Sequence, residues 1–122
     1  MGTGMIWLLS SLLSMSKRHF DEATYGKEPR FKALVTAFLQ CKSSAEMTQF
    51  LRDIATLSEL HAFSERLEVA RLLLQGKTYR TIAKQTGAST TTVTRVAAFL
   101  ERPSSGYRIA LSSTSTRSNP SS

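Results

Sequence analysis

The segment from Thr78 to Ala98 constrains this chain more than any other. It reads as two short helices joined at Gly87. Glycine has no Cβ to clash at positive φ, so Gly87 supplies the left-handed residue that a tight turn needs. Ala83 is small enough to sit where two helices cross. Ile82, Thr86, Ala88, Val93 and Val96 fall at the spacings that pack such a pair on a third helix. Thr78 is the predicted cap of a helix over 79–86, and Ser89 or Thr90 that of a helix over 90–102. Pro103 halts the second helix, since it has no N–H and its ring clashes with the preceding turn. The pattern is a helix-turn-helix, which presents its second helix to the major groove of DNA.

The segments before it are also helical in pattern. Phe31, Leu34, Val35, Phe38 and Leu39 recur as one apolar face, predicting a helix over 31–42. Ser43 and Glu46 have the spacing of a capping box and open a helix over 44–55. Met47, Phe50, Leu51 and Ile54 share one side of it. Thr56 and Glu59 repeat the start signal, followed by Leu57, Leu60 and Phe63. Residues 65–75 are apolar on nearly every side, which predicts burial between several neighbours. Gly76 is the expected end of that helix. No run with a period of two predicts a strand, and the class expected is all-α.

A chain of 122 residues is about one domain. Three parts are expected: an N-terminal extension and flexible arm over 1–29, a helical domain over 30–111, and a disordered Ser/Thr-rich tail over 112–122. A single closing turn is expected over 107–111. The apolar stretch Ile6–Met15 is too short to span a bilayer, and no Lys or Arg precedes it as in a secretory signal. Translation is expected to begin at Met15, with residues 1–14 an upstream extension.

Charge singles out the same motif. The chain carries a net charge of +7, which favours a polyanionic partner. Residues 77–108 hold six Lys/Arg against Glu101 alone, whereas residues 43–76 hold three bases against five acids. The basic excess therefore lies on the helix-turn-helix.

The chemistry of the second helix fits the same partner. Threonines are mediocre helix formers, so a Thr90-Thr91-Thr92 run is a poor choice for stability alone. At a helix N-terminus laid on DNA, their hydroxyls reach phosphates or base edges and their methyl groups touch thymine. Backbone N–H groups there also favour phosphate. Thr91 and Thr94, one turn apart, are assigned to DNA contact, while Thr90 is equally suited to capping. Arg80 has the fork to meet guanine or a phosphate. Lys77 and Lys84 suit phosphate. The predicted DNA-binding set is Lys77, Thr78, Arg80, Lys84, Ser89, Thr90, Thr91, Thr92, Thr94 and Arg95.

Catalytic and metal signatures are missing from the sequence. His19 and His61 are far apart, no Gly-rich phosphate loop occurs, and no ligand spacing suits a metal. Neither an enzyme nor a cofactor is expected. Cys41 is the only cysteine, so no internal disulfide can form, and a buried structural thiol is expected. Apolar helix surface exceeds what the roughly fifty-residue DNA-binding half can cover, which predicts association into a homodimer.

These residues resemble the Trp repressor superfamily, in its YerC/YecD-type TrpR-like branch. The likeness runs from about Phe31 to Leu111. It rests on Ser64–Ala70, Leu73 to Tyr79, Thr86 to Val96, and Gly106-Tyr107. The resemblance implies a Trp-repressor-like all-α domain, an intertwined homodimer and a bacterial transcriptional regulator acting on double-stranded DNA in the cytoplasm at the nucleoid. It also implies a ligand site, in which Arg66 and Arg95 match the two arginines that flank bound tryptophan. Val96 and Phe99 stand where the family has smaller residues, which predicts weak or no tryptophan binding. Arg66 and Arg95 would then pair with acids such as Glu65 or Glu101, or with DNA phosphate. The competing class is an interaction or membrane-associated adaptor module that uses the same motif for docking protein.

Overall fold

In the computed structural model, residues 19–117 are described, and side chains as far as residue 112. The expectations for residues 1–18 and 118–122 lie outside the described residues. All the regular elements described are helical. They are a single 3-10 turn at Tyr25–Lys27 and six α-helices: α1 Pro29–Gln40, α2 Ser44–Ile54, α3 Leu57–Leu74, α4 Tyr79–Thr86, α5 Thr90–Leu100 and α6 Gly106–Arg117. They group into two compact units that divide after Phe50, within α2.

In the first unit, α1 starts two residues earlier than the apolar pattern predicts. Pro29 is its first residue, where a fixed φ helps and a missing N–H costs nothing. The preceding residues 19–28 were expected to be a flexible arm, but they take up a defined path. Ala23 N–H donates to the Asp21 carboxylate at 2.8 Å. Phe20 and Tyr25 then meet Phe31 edge-on, with ring centroids 5.9 and 5.1 Å away. Aromatic pairs in this geometry add about 0.5–1.5 kcal/mol each beyond area burial. Phe38 and Phe50 form a further edge-on pair at 5.2 Å. Cys41 is only half-buried, and its thiol donates to the Ala37 carbonyl at 3.7 Å.

The capping signals form helices as the sequence indicates. Ser43 Oγ accepts from Glu46 N–H at 3.1 Å. The Glu46 carboxylate accepts from Lys42 N–H at 2.7 Å, one residue further back than in a standard box. Thr56 and Glu59 make the reciprocal pair, at 3.1 and 2.9 Å. The Thr56 backbone N–H, and secondarily its hydroxyl, hold the Glu59 carboxyl below its usual value.

The second unit contains the continuous core. α3 runs unbroken for 18 residues, and α4, α5 and α6 come back against it. Val69, Ala70 and Leu72 of α3 are buried against Ile82, Ala88, Val93, Val96, Leu100 and Leu111. α4 has 8 residues, too few to persist alone in water, so it depends on this packing. α3 does not have the all-round burial its composition predicts. Leu57 is 65% exposed and Leu67 41%, because the neighbouring helices cover one side of it.

The helix ends are well defined. Gly76 has φ +80. Its N–H donates to Leu73 and that of Lys77 to Leu72, at 2.9 and 3.1 Å. That is a Schellman ending. α5 ends at Leu100, before Pro103 can oppose it. α6 continues for 12 residues to Arg117, where one turn was expected and where composition predicts no helix from Ser112 on. Buried Leu111 anchors it to the core, and Ser112 Oγ bonds the Ile109 carbonyl at 3.0 Å.

Two outcomes follow from this packing. Ile82→Ala removes a fully buried side chain joining α4 to α3 and α5. It lowers unfolding free energy by about 2–5 kcal/mol, measured by urea denaturation. The second concerns pH. A depressed folded-state pKa gives Glu59 a stabilising effect above the ordinary carboxylate value of 4.5, lost as pH falls through the folded value beneath it. Glu59→Ala therefore flattens the drop in Tm below that pH, as followed by circular dichroism.

Candidate nucleic-acid interface

α4 and α5 pack on each other and on α3, with a turn set by Gly87 at φ +78. Gly87 N–H closes α4 on the Ala83 carbonyl at 2.9 Å. Thr86 holds the turn from inside: its hydroxyl donates to the Ile82 carbonyl at 2.7 Å and accepts from Ala88 N–H at 3.0 Å. Ala88 is then buried, and α5 begins at Thr90. With Ile82, Val93 and Val96 facing inward, the polar residues of both helices are left outward.

The predicted DNA-contact residues lie on the outward side. Lys77, Thr78, Arg80, Lys84, Ser89, Thr90, Thr91, Thr94 and Arg95 are exposed, and Thr92 is half-buried. Their hydroxyls divide into two groups. Thr78 caps α4 through Thr81 N–H at 3.2 Å, and its hydroxyl donates to Thr81 Oγ1 at 2.9 Å. Ser89, rather than Thr90, caps α5 through Thr92 N–H at 3.1 Å, with its hydroxyl on Thr92 Oγ1 at 3.1 Å. Thr94 spends its proton on the Thr90 carbonyl at 2.9 Å, leaving oxygen lone pairs alone for an outside partner. Thr90 and Thr91 keep hydroxyl protons uncommitted to any described residue. The repeated hydroxyl-x-x-threonine spacing at 78–81 and 89–92 was the available sequence signal for the two caps.

Beside this face lies an open cleft of about 470 Å³. α3 contributes Arg66; α5 contributes Thr91, Thr92, Arg95, Val96 and Phe99; α6 contributes Tyr107. Arg66 and Arg95 are thus brought together, but they do not pair with acids. Glu65 faces His61 at 3.5 Å, and Glu68 binds Arg71 through Nε at 2.9 Å. Arg66 instead lies 5.3 Å from the centre of the Phe63 ring. Neither Arg66 nor Arg95 forms an ion pair with a described residue. Arg102 stacks on Phe99 at 3.9 Å, and Arg108 donates from Nε to the Leu100 carbonyl at 2.9 Å, securing the end of α5. The resemblance had placed Phe99 at this site; the part played by Tyr107 in forming the cleft depends on folding and had no local signal.

The family model for the Trp repressor protein matches residues 29–115. This chain belongs to the Trp repressor family. The uncharacterized protein YerC of Bacillus subtilis (strain 168) is 40% identical over 86 residues, covering 70% of this chain and 81% of its own length. A crystal structure of a TrpR-like protein from Eubacterium eligens ATCC 27750 superposes with a TM-score of 0.69 at 35% identity, covering 73% of this chain and 92% of that one. These likenesses agree with an all-α, Trp-repressor-like fold of the YerC type. Membership places the chain among helix-turn-helix regulators. Among the described residues no helix is long and apolar enough to cross a membrane.

The cap assignment has a direct consequence. Ser89→Ala removes the bond to Thr92 N–H and lowers stability by about 0.5–2 kcal/mol, whereas Thr90→Ala changes it by less, in the same urea measurement.

Proposed function

We infer that this chain is a sequence-specific DNA-binding transcriptional regulator that lays α5 in the major groove as a homodimer. The observation that carries this reading is the one-signed outer face of the helix-turn-helix. Lys77, Arg80, Lys84 and Arg95 stand exposed beside the uncommitted hydroxyls of Thr90 and Thr91. A docking surface for protein has no general need of such a charge bias. Arg80 forks onto a guanine or a phosphate, Thr91 reaches a base edge, and Lys77 and Lys84 hold phosphates. The N-terminus of α5 adds its N–H groups to the phosphate contacts.

Dimerisation supplies cover for apolar surface that one copy leaves in water. Leu39 is 68% exposed, Leu57 65% and Ile109 73%. A two-fold dimer buries such faces and sets two reading helices about one turn of DNA apart. The site of action under this reading is the bacterial cytoplasm, at the nucleoid.

Tryptophan fits the cleft poorly as a corepressor. Val96 and Phe99 bring bulk into it, and no acidic side chain lines it to meet an ammonium group.

Binding to duplex fragments selected from genomic DNA tests the reading. The log of the association constant falls linearly with log salt, at about −0.9 per phosphate neutralised. Arg80→Ala and Thr91→Ala each narrow the gap between selected and unrelated duplexes by about 1–3 kcal/mol. Equal loss on every sequence removes the base-reading roles. No duplex affinity at physiological salt returns the motif to protein docking.

A further inference from the structure

α5 lacks the kind of local ending its neighbours have. α3 and α4 run into glycines at positive φ, Gly76 and Gly87. The residue after α5 is Glu101, which stays right-handed at φ −80, ψ −10. Its N–H donates to the Ala97 carbonyl at 3.2 Å, and that of Arg102 to the Phe99 carbonyl at 3.4 Å. The last carbonyls of a helix have no partner within it and need one from elsewhere. For Leu100 that partner comes from another helix: Arg108 of α6 donates from Nε at 2.9 Å.

The bond sits at a junction. A notch of about 180 Å³ there is lined by Leu74 of α3, Tyr79 of α4, Leu100 of α5 and Arg108 of α6, among others. Leu100 is buried, and so is Leu111, about one turn beyond Arg108 on α6. Residues 101–105 join the two helices, and Ser105 in that link is buried too. The Arg108 bond therefore ties the end of α5 to a helix that the core holds in place. A cation at a helix C-terminus is also favoured by the dipole.

The residues assigned to base reading lie at the other end of α5. Thr91 and Leu100 belong to the same helix, about 14 Å apart along its axis. Recognition geometry has to be held within about 0.5 Å or 10–20°. Ser89 fixes the start of the helix, and an unsecured far end would leave its tilt free. Glu101 lines the same notch as Arg108, so this guanidinium stands apart from the one-signed face.

We propose that Arg108 is a positioning residue for sequence readout: through the Leu100 carbonyl it fixes the tilt of α5, and it acts by its Nε–H donor rather than its charge. The readout role rests on the DNA-binding reading; the bracing of α5 stands without it.

Two substitutions separate donor from charge. Arg108→Gln is neutral and keeps an N–H donor at the place of Nε. Arg108→Met is neutral, fills the same length and has no donor. Arg108 is exposed, so neither change enters the buried core, and circular dichroism sets a temperature at which both variants are fully helical.

Anisotropy titrations use a duplex that the wild-type chain selects from genomic fragments and an unrelated duplex of equal length. In Arg108→Met the ratio of the two affinities falls by about tenfold, the order of one base contact. Affinity for the unrelated duplex and the salt slope stay as in wild type, and Arg108→Gln restores the ratio. A wild-type ratio in Arg108→Met overturns the proposal, and so does equal weakening on both duplexes. Equal loss in both variants overturns the donor role, and a slope shallower by about 0.9 then makes Arg108 a phosphate contact.

Hydrogen exchange in the free protein tests the bracing without DNA. Amides of residues 97–101 exchange faster in Arg108→Met than in Arg108→Gln; equal exchange overturns the brace. A wild-type chain that selects no duplex overturns the DNA-binding reading and the readout role with it, and the exchange result still decides the brace.

Discussion

The burial of Ile82 against α3 and α5 governs this structure. α4 is too short to hold its own shape, and α5 carries a run of threonines that favours helix poorly. Both are fixed because Ile82, Val93 and Val96 close on Val69, Ala70 and Leu72. With those side chains inside, the remaining positions of α4 and α5 have only one side available. That side carries Arg80, Lys84, Thr91 and Arg95. The apolar packing therefore aims the polar residues, and the left-handed Gly87 sets the angle between the two helices.

Hydroxyl groups do two jobs on this scaffold, and hydrogen bonding separates them. Thr78 and Ser89 are spent on helix starts, backed by Thr81 and Thr92. Thr86 is spent inside the turn. Thr90 and Thr91, beside Arg95, have neither of these duties among the described residues. The cleft beside this face is lined in part by the same residues, Thr91, Thr92 and Arg95.

Much of this could be read from the chain, because its signals are local. The Thr56–Glu59 box, the Thr78 and Ser89 caps and the αL glycine at 87 each depend on residues within four positions. What the sequence concealed is long-range. The apolar circumference of α3 predicts a helix surrounded by neighbours, yet a single copy covers one side. Residues 19–28 look like a polar arm, but Phe20 and Tyr25 find Phe31. α6 looks like one turn, and buried Leu111 extends it. Arg66 and Arg95 look like partners for nearby acids. Glu65 faces His61 instead, and neither Arg66 nor Arg95 forms an ion pair with Glu65, Glu101 or any other described residue. No local pattern in the chain encodes which of several nearby charges will meet.

The central claim is that the outer face of α4 and α5 meets duplex DNA. Backbone amide spectra of isotopically labelled protein, followed during titration with duplex DNA, test it residue by residue. The account predicts that shifts concentrate between Lys77 and Arg95, while amides of α1 stay in place. Shifts confined to α1 and α2, with the segment from Lys77 to Arg95 unmoved, would contradict it.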